Sequence, residues 1–282
     1  MRALVLIAAA AIASQAAPLF QDNFGVPGTH LNFAAWTTEM GAAAVLGRTQ
    51  LADWVTPGGL GQFVVGNDGA HLALHTVNLM GNRESPLFYG THAKTIQWFQ
   101  PSRAAAVSFT ARLRLTSLQP GIVYGIYLYG CPAQQCVTQH DEIDIELVTN
   151  HLQPGATPLM VQLNRYAVEP LGAGHGALVN LPPDFAPLAP HDWTIRWSLS
   201  RIDYLVDRTV LSTEVTHIPE GPMQVNVNAW APGPDWADAF STSLEPASAA
   251  AMDQSFVALL TSVSVTSSRA APARGGRVRR LH

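Results

Sequence analysis

Charged residues are scarce in this chain, at 13% of 282 residues, and 16 Lys and Arg face 20 Asp and Glu. The shortage of positive charge excludes a basic nucleic-acid binder, because few groups remain to neutralise phosphates. Hydrophobic residues make up 48% of the chain, which excludes a disordered acidic protein. The sequence also lacks a Gly-rich phosphate loop, a repeated Cys-x-x-Cys motif and any apolar run of the roughly 20 residues that span a bilayer.

The N-terminal residues have the three parts of a secretory signal. Arg2 precedes an apolar run from Ala3 to Ala13, and small residues follow that suit cleavage after Ala16 or Ala17. We therefore expect residues 1–16 to be a signal peptide and the mature chain to be secreted, extracellular and soluble. The alternative of a core helix is weaker, because it would leave a hydrophobic helix at a free terminus.

Only two cysteines are present, Cys131 and Cys136, and four residues separate them. In an oxidising compartment thiols this close usually pair, so we predict a disulfide between them. A ring this small restricts few unfolded conformations, so its effect would be to stiffen a loop rather than to add much stability.

Glycine and proline are frequent, with 22 and 20 residues, and they separate short stretches of strand character. Several stretches alternate polar and apolar side chains, and Asn67-Asp68-Gly69 is a hairpin signal. Such spacing without intervening helices predicts an all-β sandwich. The predicted strands are 62–65, 71–77, 106–115, 122–129, 142–148, 159–163, 193–199, 202–206, 223–227 and 257–265.

No linker divides the chain before residue 266, which predicts a single domain over residues 17–268. After Ser268, five arginines lie among Ala, Pro and Gly, a composition that predicts a disordered basic tail over residues 269–282. Contact of this tail with an acidic polymer is one interpretation, and a solvated segment without a specific role is the simpler one.

The acidic segment at residues 141–146 carries the strongest chemical signal. On a strand, Glu142, Asp144 and Glu146 share one face, and the residues between them share the other. Repulsion among three carboxylates contributes nothing to stability unless the charges are used or neutralised. A pair of carboxyl groups is what glycosidic hydrolysis needs, one as nucleophile and one as proton donor. Retention of configuration requires them to lie ~5–5.5 Å apart, so a concave sheet is expected.

A charged solvent surface and a calcium site are the two alternatives to catalysis for this face. A solvent surface would be expected to include Lys, Thr or Ser, and this face is acidic throughout. Calcium prefers acidic ligands on a flexible loop rather than at every second position of an Ile-rich strand. Catalysis is therefore the favoured interpretation.

The segment Glu142-Ile143-Asp144-Ile145-Glu146 resembles the Glu-x-Asp-x-Glu motif of glycoside hydrolase family 16, in the form without an inserted residue that lichenases and xyloglucan-modifying enzymes share. The resemblance implies a concave, concanavalin-like jelly-roll sandwich of two antiparallel sheets. It also implies that Glu142 is the nucleophile, Glu146 the general acid and then base, and Asp144 their helper.

Other stretches follow the family's order of motifs from about Phe20 to Ser268. The strand at 125–130 is similar to the family's aromatic strand, 162–166 to its Gln-x-Asn-x-Tyr strand, and 228–236 to the elements that close its cleft. Many relatives carry Glu-x-Arg-Thr where this chain reads His92-Ala93-Lys94-Thr95, and a Lys does not replace a guanidinium fork. The residues expected to contact sugar are Tyr127, Tyr129, Asn164, Tyr166, Asn228, Trp230, Trp236, His92 and Lys94.

Tryptophans and histidines need separate interpretation. Trp193 and Trp197 share one face of a predicted strand and are expected in the core. Trp230 and Trp236 flank a Pro-Gly-Pro segment on a predicted loop, where exposed rings would stack on sugar. His140 is either a partner of the acidic strand or a loop residue. The ten histidines show no metal-ligand spacing.

We therefore expect a monomeric, endo-acting retaining glycosidase that cuts a β-glucan with β-1,3 or mixed β-1,3/1,4 linkages. Its expected partner is a polysaccharide, with neither nucleic acid nor membrane. No cofactor is predicted, since ligands for the structural calcium that occurs in relatives are not identified here. One alternative is transglycosylation, in which a sugar hydroxyl replaces water. Another is a non-catalytic carbohydrate-binding sandwich, which would lack one carboxyl group.

Overall fold

The computed structural model describes residues 18–25, 31–38, 45–51, 64–78, 87–131, 136 and 138–269. The predicted signal peptide, residues 62–63 of the first predicted strand and residues 270–282 of the predicted tail lie outside the described residues. Within the described ranges, no helix combines the length and the apolar character needed to cross a membrane.

Strands of 2 to 15 residues account for most of the regular structure in this part of the chain. Two 3₁₀ helices, Thr149–Leu152 and Ala250–Met252, are the helical elements described. The strands are β1 (Phe20–Asp22), β2 (Trp36–Thr37), β3 (Val45–Leu46), β4 (Thr49–Leu51), β5 (Val64–Gly66), β6 (Gly69–His75), β7 (Phe88–Gly90), β8 (His92–Thr95), β9 (Ala105–Leu115), β10 (Val123–Gly130), β11 (His140–Val148), β12 (Met160–Glu169), β13 (Ala177–Asn180), β14 (His191–Ser198), β15 (Arg201–Val206), β16 (Thr209–Glu214), β17 (Gln224–Trp230) and β18 (Ser255–Arg269).

These strands form two sheets with a common hydrophobic core between them. One sheet has eleven strands in the order β16-β15-β14-β9-β18-β6-β7-β4-β3, with β1 beside β18 and β5 beside β6. The other has seven, in the order β13-β12-β11-β10-β17-β8-β2. The predicted jelly-roll sandwich is confirmed. The parallel pair β4 and β7 departs from its otherwise antiparallel pattern.

Each predicted strand overlaps an observed one, and the predicted hairpin joins β5 to β6 with Gly66 opposite Gly69. Most of the strands that sequence analysis missed are short, such as β2 and β3 with two residues each, and offer too few positions for alternation to be recognised; β16 was missed although it has six residues. Strand β18 extends through Arg269, which pairs with Ala105 and is the residue after the predicted domain end at Ser268.

The inner faces of both sheets supply the core. From β11, Ile143, Ile145 and Leu147 are buried there, on the side opposite to the carboxylates. Trp193 and Trp197 of β14 are 2% and 0% exposed, which confirms their predicted place in the core. The indole N–H of Trp197 donates to a backbone carbonyl at 2.8 Å, so its one polar atom is not left unpaired.

Polar contacts also tie the two sheets together. The Tyr204 hydroxyl, on β15 of the larger sheet, donates to the backbone oxygen of Asn164 on β12 at 2.6 Å. Thr91 lies where the chain passes from β7 in one sheet to β8 in the other. Its N–H donates to Ala73 O at 2.9 Å and its carbonyl accepts from Ala229 N at 3.0 Å, so one residue bonds to both sheets.

Gly90 lies just before this crossover, and a substitution there tests the close packing between the two sheets. A Cβ at Gly90 would overlap Ala229 O and lie 2.7 Å from Thr49 Cγ2. Because a backbone carbonyl cannot rotate away, Gly90→Ala should lower the free energy of unfolding by about 1–3 kcal/mol in chemical denaturation. Gly25→Ala is the control, since no atom of the described residues lies within 4 Å of the added Cβ. Equal stability of the two variants would contradict this packing.

Candidate active site

Strand β11 presents its carboxylates on the outer face of the seven-stranded sheet. Glu142, Asp144 and Glu146 share that face because side chains alternate along the strand and the intervening residues fill the core. In an antiparallel pair, residues directly opposite each other point to the same face. The register of the sheet therefore decides which side chains surround each carboxylate.

Three rows of side chains cross this face from β12 through β11, β10 and β17. Each row is centred on one carboxylate and its directly opposite partners. The rows are Tyr166-Glu142-Tyr129-Gln224, Asn164-Asp144-Tyr127-Asn226 and Gln162-Glu146-Gly125-Asn228. Strand β8 extends the last two with Lys94 opposite Asn226 and His92 opposite Asn228.

A cavity of about 750 Å³ lies over these rows. Its lining includes all three carboxylates, together with eight of the nine residues predicted to contact sugar. Those eight are Tyr127, Tyr129, Lys94, Asn164, Tyr166, Asn228, Trp230 and Trp236. The sequence motifs, although 142 residues apart at the extremes (Lys94 to Trp236), thus meet on one surface.

His92 is the exception, because it is not among the residues that line the cavity. Its side chain points toward the same face as Lys94, but the residue is only 1% exposed and its Nε2 lies 3.2 Å from Asn226 Oδ1. Burial lowers the pKa of His92 to about 4, with a smaller contribution from the charge of Lys94. A neutral imidazole therefore orients the Asn226 amide from beneath the cavity wall.

Trp230 also differs from its prediction. It is the last residue of β17 rather than part of a loop, and it is 8% exposed. Its ring centroid lies 5.7 Å from that of Trp236, with the planes tilted by 36°. The partly buried Trp236 follows the strand, so the two rings together form one wall of the cavity.

Sequence analysis missed several cavity residues. Gln162 precedes the predicted Asn164 by two positions, and Gln224 and Asn226 precede Asn228 at the same interval. Strand alternation, applied outward from the predicted residues, would have identified all three. Other missed lining residues are Leu46, Leu51, Val45 and Leu171, for which the sequence offers no comparable signal. Trp98, which the sequence leaves open between the cleft rim and a place under a loop, lines the cavity.

The predicted disulfide is confirmed. Cys131 and Cys136 are bonded, with their Cα atoms 5.1 Å apart, and both line the cavity. The bond therefore ties together the two ends of the segment that follows β10 and leads toward β11.

His140, whose place the sequence left open, is the first residue of β11. It is fully buried, and its Nε2 lies within hydrogen-bonding distance, 3.0 Å, of Glu142 Oε2. Its ring lies between Tyr129, at a centroid distance of 5.4 Å, and Tyr166, at 4.4 Å. The two tyrosines thus hold the imidazole in place, and the imidazole in turn orients one carboxylate oxygen of Glu142.

The carboxyl groups of the site differ in how readily they ionise. Burial raises the pKa of Asp144 well above its usual value, and the charges of Glu142 and Glu146 and a hydrogen bond to Glu142 raise it further. Burial, followed by the charge of Glu142, raises the pKa of Glu146 to about 8. At neutral pH Glu146 therefore holds a proton, and the raised pKa of Asp144 favours its protonated form, which can donate a hydrogen bond to Glu142.

The fold and this site define a β-sandwich in which one strand presents three carboxyl groups to a large cavity. The model of glycosyl hydrolases family 16 matches residues 90–245, more than half of the chain, and the chain belongs to that family.

Individual relatives agree with this assignment. A β-glucanase of Paenibacillus polymyxa is 34% identical over 110 residues, an alignment that spans 39% of this chain and 42% of that relative's length. A β-1,3-1,4-glucanase (lichenase) from a mouse hindgut metagenome has a TM-score of 0.63 at 20% identity, over 88% of this chain and 98% of the other. An endo-β-1,3-glucanase from Pyrococcus furiosus has a TM-score of 0.63 at 16% identity, over 90% and 95%. The two structures establish a shared fold.

The coupling between two of the carboxyl groups can be measured directly. Glu142→Gln removes the nearby negative charge, so the pKa of Glu146 should fall from about 8 by about one unit or more, while burial keeps it above the usual value. Titration of the side-chain carboxyl carbons by NMR measures this shift. Glu245→Gln, at an exposed position outside the cavity, is the control and should leave the titration of Glu146 unchanged. The coupling is refuted by an unaltered Glu146 titration in Glu142→Gln.

Proposed function

We propose that this protein is an endo-acting, retaining glycosidase that hydrolyses a β-glucan with β-1,3 or mixed β-1,3/1,4 linkages. The main support is the carboxyl set of β11, in which Glu146 keeps a proton while Glu142, two rows away, faces the same cavity. Membership of family 16 and the β-glucanase relative support the substrate class. Both carboxyl groups are present, which favours catalysis over carbohydrate binding alone.

In the first step, Glu142 attacks the anomeric carbon. A bond forms between its carboxylate oxygen and that carbon, the glycosidic carbon–oxygen bond breaks, and the proton of Glu146 passes to the leaving oxygen. The raised pKa of Glu146 suits this role, because a general acid must still carry its proton at the working pH. His140 keeps Glu142 oriented, since it bonds to the Oε2 atom.

In the second step, Glu146, now ionised, takes a proton from water, and the water oxygen attacks the same carbon. The bond to Glu142 breaks, and configuration is retained after two inversions. Asp144 lies between the two groups on the same face, and its hydrogen bond to Glu142 positions the nucleophile and withdraws charge from it. A sugar hydroxyl in place of water would give transglycosylation instead.

The remaining cavity residues have the chemistry of a glycan site. Amide side chains of Gln162, Asn164 and Asn226 can both donate to and accept from sugar hydroxyls, and the rings of Trp98 and Trp236 offer flat apolar surfaces. The rows extend over five neighbouring strands, or four spacings of roughly 4.8 Å, which is about 19 Å in total. A surface of this width accommodates more than one sugar ring and supports cleavage within a polymer.

We further propose that the protein is secreted. The bonded cysteines support an oxidising compartment, since disulfides are rare in reducing cytosol. The predicted signal peptide is in keeping with this location.

Removal of the nucleophile tests the proposed reaction. Glu142→Gln should lower the release of reducing ends by about 10⁴-fold or more and leave glucan binding intact, because the amide cannot attack the anomeric carbon. Wild type, this variant and the exposed control Glu245→Gln are assayed on barley glucan, laminarin, xyloglucan, agarose and carrageenan. The anomeric form of the first product is followed by NMR.

Each outcome of this assay has a definite meaning. Reducing-end release by Glu142→Gln at the wild-type rate would refute hydrolysis through this residue. An inverted anomer would refute the retaining route, and products longer than the supplied oligosaccharide would favour transglycosylation. Activity confined to agarose or carrageenan would refute the β-glucan assignment.

The role of His140 can be separated from that of the carboxyl groups. His140→Ala removes the hydrogen bond to Glu142 Oε2 and the ring between Tyr129 and Tyr166, so kcat should fall by roughly 100-fold with a smaller change in KM. His140→Gln keeps a donor and should recover part of the loss. The control is His71→Ala on the other sheet, where the imidazole pairs with Asp68. Equal kcat in His140→Ala and the control, with both folded by circular dichroism, would exclude a positioning role.

A further inference from the structure

Outside the catalytic cavity, one carboxylate oxygen faces two imidazoles. Oε1 of Glu169, the last residue of β12, lies 2.8 Å from Nε2 of His175 and 3.2 Å from Nδ1 of His217. The potential ligand atoms of the three side chains lie within 4.8 Å of one another, and the two imidazole rings are stacked at a centroid distance of 3.6 Å. Three groups that are among the commonest metal ligands in proteins thus converge on one point.

The carboxylate is held in a fixed orientation. Its second oxygen, Glu169 Oε2, accepts a hydrogen bond from the backbone N–H of Ala167 at 3.0 Å. This bond leaves Oε1 directed toward the histidines. In metal sites, such hydrogen bonds to a ligand's other atoms set its orientation and its affinity for the ion.

The two histidine-bearing loops are held by one guanidinium group. Arg165 donates from Nη1 to the carbonyl of His175 at 3.0 Å and from Nε to the carbonyl of Thr216, next to His217, also at 3.0 Å. Its third nitrogen forms a 3.0 Å ion pair with Glu214. The positions of both imidazoles are therefore set by a partly buried residue rather than by chance contact of exposed loops.

The backbone at His217 has an unusual conformation. Its φ of 51° lies in the left-handed region, which is disfavoured for a residue with a Cβ by roughly 1–2 kcal/mol. Conformations of this kind concentrate at ligand sites, where the surrounding structure maintains them. Here the conformation accompanies a ring that contacts both Glu169 and His175.

We propose that Glu169, His175 and His217 bind a divalent transition-metal ion, with Zn²⁺ as the best match. Zn²⁺ bonds of about 2.0–2.2 Å to nitrogen and oxygen place tetrahedral ligands roughly 3.4 Å apart, so the 3.2 Å contact of His217 is close to this spacing and the 2.8 Å contact of His175 needs to open by roughly half an ångström. Two imidazoles disfavour Ca²⁺ and Mg²⁺, which take oxygen ligands. Three protein ligands leave one coordination position for water.

An ion can reach this site from solvent, and binding there would stabilise the loop that carries His175. The side chains of Glu169, His175 and His217 are 20%, 32% and 46% exposed, so solvent reaches them. On either side of His175, Gly174 approaches Tyr166 and Asn164, and Gly176 approaches Gln162, so closely that an added Cβ would displace these cavity residues. The ion would thus stabilise the loop around His175, which packs against these cavity residues. The inference is independent of the proposed hydrolysis.

Metal binding is tested on the full chain without a histidine tag, after removal of ions with a chelator. Titration with ZnCl₂ by calorimetry should give one equivalent bound, with a rise in Tm, and Co²⁺ should give the visible absorption of a tetrahedral site. His175→Ala, Glu169→Gln and His217→Asn should each weaken binding by roughly tenfold or more. Asn tolerates the left-handed backbone, so the last variant separates loss of a ligand from loss of the loop conformation.

Two controls locate the ion. His71→Ala, which removes a histidine paired with Asp68 elsewhere, and Glu142→Gln, which removes a carboxylate of the cavity, should bind Zn²⁺ as the wild type does. The proposal is overturned by a wild type that binds no Zn²⁺, by unchanged affinity in the His175→Ala and His217→Asn double variant, or by loss of binding in Glu142→Gln. The last result would assign the ion to the catalytic carboxyl groups.

Discussion

A β-strand shows only every second residue to each of its faces, and β11 depends on both faces at once. Its inner face contributes Ile143, Ile145 and Leu147 to the core, where each fully buried side chain stabilises the fold by roughly 1.5–3 kcal/mol. Its outer face carries the carboxyl groups. A slip of one residue would exchange the two sets, moving acids into the core and isoleucines into the cavity. The hydrophobic core therefore determines the register of the active-site strand.

The outer face of β11 also has to accommodate three acidic side chains in succession within a stable sheet. Full ionisation would place like charges at every second position, a repulsive arrangement. The raised pKa values of Asp144 and Glu146 favour their neutral forms, and His140 and Asp144 provide Glu142 with hydrogen bonds. Gly125, directly opposite Glu146, has no side chain to cover that group. The arrangement that reduces repulsion thus also gives the carboxyl groups of this face different tendencies to hold a proton.

How much the sequence predicts depends on the range of the interaction involved. Alternation is local, so the outer face of β11 and the amide and tyrosine residues of β12, β10 and β17 were predictable, and the same reasoning extends to the missed Gln162 and Asn226. Whether other parts of the chain bury a side chain on this face does not depend on the local sequence. His92 and Lys94 occupy equivalent positions on β8, but only Lys94 reaches the cavity.

Contacts between distant segments leave no pattern in the sequence. His175 and His217 lie 42 positions apart, which no metal-ligand motif spans, and they meet because Arg165 bonds to the backbone of both loops. The short strands at the sheet edges were missed for a related reason, since their pairing partners, rather than their own two or three residues, determine their conformation. The hydrogen bond from Tyr204 to Asn164 O belongs to this class as well. This bond holds the cavity-lining strand β12 in position from the opposite layer of the sandwich. Specificity can therefore change through substitutions that contact no ligand, and directed evolution of this scaffold has reason to sample the remote sheet.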